Sequence, residues 1–223
     1  KAGEEVALSR PERERVNEEQ ERTRRRTEFE SALVRVKAVV RDEQKSAPSC
    51  FVSYAWGDAE RERWVRGLAS DLQNAGVGVI LDQRDNSAIG ENVARFVSLI
   101  ERSDFVVVVG TPLYRQKYEN KVSTAGSVVA AEVDLINLRL IGTEKEKKTV
   151  MPLLLEGNAQ TSLPPLMQGR VYSDFRPESR YFATLFDLIL SLYRISFYHP
   201  AVSDLRELLR AEAVGVAMST RWL

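Results

Sequence analysis

Three segments of this 223-residue chain combine residue types that can hold or transform a small molecule. "CFVSYAWGD" begins at Cys50 and runs from an apolar strand into two bulky rings, Tyr54 and Trp56, then Gly57 and Asp58. Rings at the mouth of a sheet are costly to leave in water, so they need a core or a ligand to cover them. "DQRDNSAIGEN" places Asp82, Arg84, Asp85, Ile89 and Asn92 in a polar loop hinged at Gly90. "TPLY" carries Tyr114, and the stretch after it leads to Glu132 in "SVVAAEVDLI". The neighbours Val128, Val129, Val133 and Ile136 are apolar, so that carboxylate sits at the edge of a buried helix face.

Other chemistries lack their residues. His199 is the single histidine and Cys50 the single cysteine, so a His/Cys metal site is not expected, and the metal set is read as none. A lone histidine near the C-terminus also argues against a Ser-His triad, and no Gly-x-Ser-x-Gly elbow or phosphate-binding Walker loop is present. Gly76-Val-Gly78 lacks a third glycine and precedes a strand, so it is no dinucleotide fingerprint. "DQRDNSAIGE" lacks the calcium-loop spacing. A phosphoacceptor receiver domain needs an Asp ending the third strand, where Gly110-Thr111-Pro112 stand.

These segments must be positioned by strands and helices. Hydrophobic residues are 43% and charged residues 29%, enough for a core. Lys plus Arg and Asp plus Glu are both 32, so nothing points to nucleic acid or an anionic membrane surface. No apolar run is long enough to span a bilayer and no signal peptide is seen; one unpaired cysteine fits a reducing compartment, so a cytoplasmic location is expected. Cys50 opens a strand and reads as a buried bystander thiol. The chain starts at Lys1 without a Met, consistent with a piece of something longer.

The pattern divides into a charged helical arm or linker (1–46), an α/β domain (47–198) and a helical tail (199–223). In the arm, residues 9–46 pair charges at helical spacing, as in Glu18 with Arg22, after a capping box of Ser9 and Glu12. Phe29, Leu33, Val36 and Val40 form a short apolar stripe. The stripe either packs on its own domain or pairs with another copy or an upstream domain; the arm is expected to act as an oligomerisation or coupling element. Beyond it, strands "CFVSYA", "AGVGVILD", "DFVVVVGTP", "KKTVMPLLLEG" and "RVYSDF" alternate with helices over 59–75, within "IGENVARFVSLIERS", over "GSVVAAEVDLINLRLI" and over "YFATLFDLILSLYRI". Five strands so separated predict a five-stranded parallel, doubly wound sheet of flavodoxin-like type. Ligands of such sheets bind beyond the carboxyl ends of the strands, where the three segments converge.

Residues 49 to 197 resemble the Toll/interleukin-1 receptor (TIR) domain family. "CFVSYAWGD" is similar to its first box, "LDQRDNSAIGENV" to the second strand and following loop, and "SDFVVVVGTPLY", "VMPLLLEG" and "YFATLFDLILSLY" to the remaining core. Some members are scaffolds that signal by self-assembly; others cleave the nicotinamide–ribose bond of NAD. The enzymes turn on one glutamate of the third helix, which the resemblance places at Glu132. The enzymes often carry a Trp four residues before it; here that place is Val128.

The resemblance implies an NAD glycohydrolase with NAD as substrate and no cofactor, releasing nicotinamide and ADP-ribose or a cyclic ADP-ribose. It implies activation by TIR–TIR self-association, in innate immune or antiviral defence signalling. One carboxylate suffices, because nicotinamide leaves a cationic pyridinium as a neutral amide and needs no general acid, unlike an ordinary glycosidic leaving group. Tyr54, Trp56, Asp82, Asn92 and Tyr114 are the expected substrate contacts, the two rings at 54 and 56 stacking on nicotinamide or adenine. Arg84, Asp85, Ile89 and Gly90 are the expected assembly loop. The alternatives are a non-catalytic adaptor acting through homotypic assembly and a sensor of a nucleotide-derived messenger without turnover.

Overall fold

The computed structural model describes residues 10–81, 93–119 and 136–219. Its centre is β3 (Phe105–Gly110), buried along its whole length. Phe105, Val107 and Val109 enter one core, and Val106 and Val108 the other. A strand that alternates between two apolar layers must have helices on both sides. Around it stand β1 (Ser49–Ser53), β2 (Gly78–Leu81), β4 (Val150–Leu154) and β5 (Ser173–Asp174). All pairs are parallel, in the order β2-β1-β3-β4-β5. That is the expected doubly wound sheet, with the flavodoxin-like order.

The last strand is shorter than "RVYSDF" predicts. Val171 is 96% exposed, and pairing to β4 covers only Leu153 with Ser173 and Leu154 with Asp174. Pro152 precedes those pairs in β4 and has no N–H to offer a fifth strand. Cys50 is fully buried, and burial pushes its thiol up to about 12.

One face of the sheet is covered by α2 (Ala59–Asn74) and, after a short 3₁₀ turn, α9 (Tyr181–Leu192). Val65, Leu68 and Leu72 of α2 point inward, as their spacing predicts. The other face carries α3 (Val93–Arg102), α4 (Pro112–Glu119), the helical residues 136–141 (α5) and the one-turn helices α7 (Ala159–Ser162) and α8 (Pro165–Gln168), with α6 (Glu144–Lys147) between α5 and β4. The short helices α4, α6, α7 and α8 are not foreseen in the sequence. Arg139 of α5 donates to the carbonyls of Ile100, Glu101 (3.3 Å) and Ser103 (2.9 Å) at the end of α3. The Ile100 carbonyl also accepts the Ser103 N–H at 3.3 Å, and a cation at this C-terminal end complements the helix dipole.

The arm is one helix, α1 (Arg10–Asp42). Ser9 of the expected capping box lies outside the described residues. The apolar stripe does not wait for another molecule. Phe29, Ala32, Leu33, Val36 and Val39 are buried in the core that contains α9 and the sheet. Phe29 meets Phe182 with ring centroids 5.2 Å apart. The reason lies in α9, where Phe182, Leu185, Phe186, Leu188, Ile189, Leu190 and Leu192 are buried over more than half of the circumference, leaving a polar stripe of Thr184, Asp187 and Ser191. A helix with so wide an apolar face needs cover on its flank as well as from the sheet, and α1 supplies it. Val202 and Leu209, the latter in α10 (Ser203–Ser219), join the same core. Among the described residues, no helix is long and apolar enough to cross a membrane.

Candidate functional site

β1 ends on Ser53, and the chain then climbs over the carboxyl edge of the sheet. Tyr54 is 8% exposed and stacks on the half-buried Trp56, with centroids 5.3 Å apart and planes 15° from parallel. The rings expected at the sheet mouth therefore cover each other, with Tyr54 in the core and the half-buried Trp56 packed over it. Gly57 follows with φ +106, a conformation that a side chain rarely adopts, and this lets the chain turn sharply into α2. Its N–H donates to Glu62 Oε1 at 3.1 Å. Asp58 then caps α2, accepting from the N–H groups of Glu60 and Arg61 at 3.0 Å each. The Arg61 backbone N–H is the main cause holding its carboxyl below the usual carboxylate range.

Arg61 reaches from α2 across the strand ends. It pairs with Asp58 at 3.2 Å and with both oxygens of Glu156, which follows β4. The second of those two contacts, Nη2 to Oε2, is 2.8 Å. Such a fork-to-carboxylate contact is the stronger kind of ion pair. Further along the same edge, Arg176 donates to Asp174 at 2.7 and 2.8 Å and to the Gly157 carbonyl at 2.9 Å. The Arg176 side-chain bond is the main reason the Asp174 carboxyl stays low. The loops after β1 and β4 are thus laced together over the end of β3 by opposite charges.

Tyr114, expected among the substrate contacts, is 7% exposed in the core on the α4 side. Its hydroxyl lies 3.0 Å from Ser53 Oγ, so it braces the aromatic turn from beneath. Its own N–H donates to Thr111 Oγ1 at 3.1 Å, which starts α4 directly from the end of β3. Glu132, Asp82, Asn92 and the assembly-loop residues Arg84, Asp85, Ile89 and Gly90 lie outside the described residues. Of the expected contacts, the structure brings Tyr54 and Trp56 together, while Tyr114 lies in the core on the opposite face of the sheet and reaches Ser53.

The sequence reading missed Arg61, Glu156, Arg176 and Lys117. Lys117 is half-buried on α4 and donates to the Trp56 carbonyl. Arg61 and Glu156 are 95 positions apart, so no local pattern joins them. Asp58 alone had a signal, an acid immediately before a helix. Among the described residues, no group of three His, Cys, Asp or Glu side chains could hold a metal ion.

A parallel five-stranded sheet with an aromatic turn and polar loops at its carboxyl edge defines an open α/β domain with a ligand-type edge. Residues 50–190, more than half of the chain, match the family model described as "TIR domain", and the chain belongs to that family. It is similar in structure to a prokaryotic SEFIR domain, with a TM-score of 0.52 and 24% identity over 69% of this chain and 97% of that one. It also resembles the TIR domains of the activated Roq1 resistosome that recognises the pathogen effector XopQ, with a TM-score of 0.38 and 15% identity over 78% of this chain and 99% of that one. No curated protein matches it.

Proposed function

We propose that this TIR domain is an NAD glycohydrolase, cleaving the nicotinamide–ribose bond to give nicotinamide and ADP-ribose or a cyclic ADP-ribose. Its activity is proposed to depend on self-assembly and to serve innate immune or antiviral defence signalling. The observation that carries the reading is the stacked Tyr54–Trp56 pair at the carboxyl edge of a TIR-family sheet. A flat heterocycle such as nicotinamide or adenine stacks on such a pair.

The chemistry asks little of the protein. Nicotinamide is a pyridinium in NAD and departs as a neutral amide, taking the bonding electron pair. What remains is positive charge growing at the anomeric carbon of the ribose. A single carboxylate held near that carbon stabilises the charge and accepts hydrogen bonds from ribose hydroxyls. Glu132 is the proposed carboxylate, on the resemblance of its segment to the enzymes of the family.

A second reading, a non-catalytic adaptor, draws on the lacing of the edge. Arg61 and Glu156 are committed to each other, as a recognition surface without turnover would allow. The experiment that separates the two is an assay of free nicotinamide from NAD with the wild-type chain and with Glu132→Gln. The enzyme reading expects release by the wild type and a loss of about 10²-fold or more in the variant, as for one preorganised charge-stabilising group. Equal rates in folded wild type and variant would remove Glu132 from the chemistry. Absence of release from both favours the adaptor.

A further inference from the structure

α4 has eight residues, yet it grips the aromatic turn twice. Tyr114 and Lys117 are three positions apart, so both project from one face of the helix. The Tyr114 hydroxyl meets Ser53 Oγ, and the Lys117 ammonium donates to the Trp56 carbonyl. Ser53 and Trp56 bracket Tyr54 and Ala55, so one helix holds both ends of the four-residue step that carries the ring pair. On the other side Glu62 and the Asp58 cap hold Gly57 and the entry to α2. Lys117 holds the backbone of a stacking residue itself. The next residue is a glycine at φ +106, which by itself restrains the preceding backbone poorly.

We propose that Lys117 is a positioning residue: by fixing the Trp56 carbonyl it sets the plane of the Tyr54–Trp56 stack that receives the substrate's heterocycle. The proposal rests on the NAD reading for its substrate but on the described geometry for its mechanism. The cation acts through the backbone and touches no reacting atom. Its loss therefore weakens binding of the ring more than it slows bond cleavage.

The test compares the full chain with Lys117→Met and Lys117→Arg. Three quantities are measured: KM and kcat for NAD, the thermal midpoint, and the near-ultraviolet circular dichroism of the ring pair, with Trp56→Phe identifying its band. For Lys117→Met the expected results are a KM raised about tenfold with kcat nearly unchanged, the size of effect one charge-assisted hydrogen bond supports. The Trp56 band changes, the midpoint moves by only about 3 °C, and Lys117→Arg restores both KM and the band. A band identical to wild type in folded Lys117→Met overturns the proposal, as does an unchanged KM or a fall in kcat alone. If the wild-type chain cleaves no NAD, the activity reading fails by itself. The near-ultraviolet band then still decides whether Lys117 sets the ring pair.

Discussion

Asp71 is a carboxylate inside a helix-packing face, 5% exposed between Leu68 and Leu72. It stays there because two donors reach it from different helices. The Tyr181 hydroxyl donates at 2.8 Å from α9, and Arg26 at 3.1 Å from α1. Arg26 also lies over the Phe182 ring, 5.3 Å from its centroid. Burial first, then the Asp71 charge, raises the Tyr181 phenol well above its usual value, so it remains a donor at any ordinary pH. Tyr181→Phe leaves one oxygen of a buried carboxylate without its donor. It should lower stability by about 1.5–3 kcal/mol, the usual worth of a hydrogen bond to a charged group. Urea denaturation checks this, and a midpoint equal to wild type would mean that Asp71 relies on Arg26 alone.

At the scale of elements, α1 decides what the domain is. A truncated chain beginning at Ala47 would uncover Phe182, Leu185 and their neighbours and discard the burial of Phe29, Ala32, Leu33, Val36 and Val39. At about 1.5–3 kcal/mol for each large buried side chain, the loss is comparable to the whole stability of an ordinary domain, roughly 5–15 kcal/mol. The truncated chain should therefore be insoluble or lack cooperative unfolding, as seen by circular dichroism on heating. A folded, sharply melting truncation would return the stripe to the role of a partner surface. The sheet itself was legible in the sequence, because "DFVVVVG" and "KKTVMPLLLEG" carry apolar runs that only a doubly covered strand explains. The partner of the Phe29–Val39 stripe was not. A periodic stripe states that a helix has an apolar face, while the identity of the covering surface depends on contacts more than a hundred residues away in α9. The aromatic turn was legible for a similar local reason, as rings and a glycine at a strand end. Its braces were not, since Tyr114 and Lys117 are ordinary helix residues until α4 brings them to Ser53 and Trp56. Pro152 carries a legible hint of the short fifth strand, a residue that cannot donate to a neighbour.

For the whole molecule, the proposed activity joins one chain to others. The exposed charge pairs along the outer part of α1, such as Arg10 with Glu14 at 3.1 Å, do not themselves hold it to the body. Exposed pairs contribute little to stability and are screened by salt. Assembly is proposed instead through the loop that includes Arg84, Asp85, Ile89 and Gly90. If only assembled protomers hold a competent pocket, the activity of each protomer rises with protein concentration until the competent state is filled. The most direct measurement follows nicotinamide release from NAD over a series of concentrations of the wild-type chain, with light scattering reporting the assembly state in the same samples. The account predicts release whose rate per protomer climbs in step with assembly and then levels. No nicotinamide at any concentration, in samples shown to be folded and assembled, would contradict it.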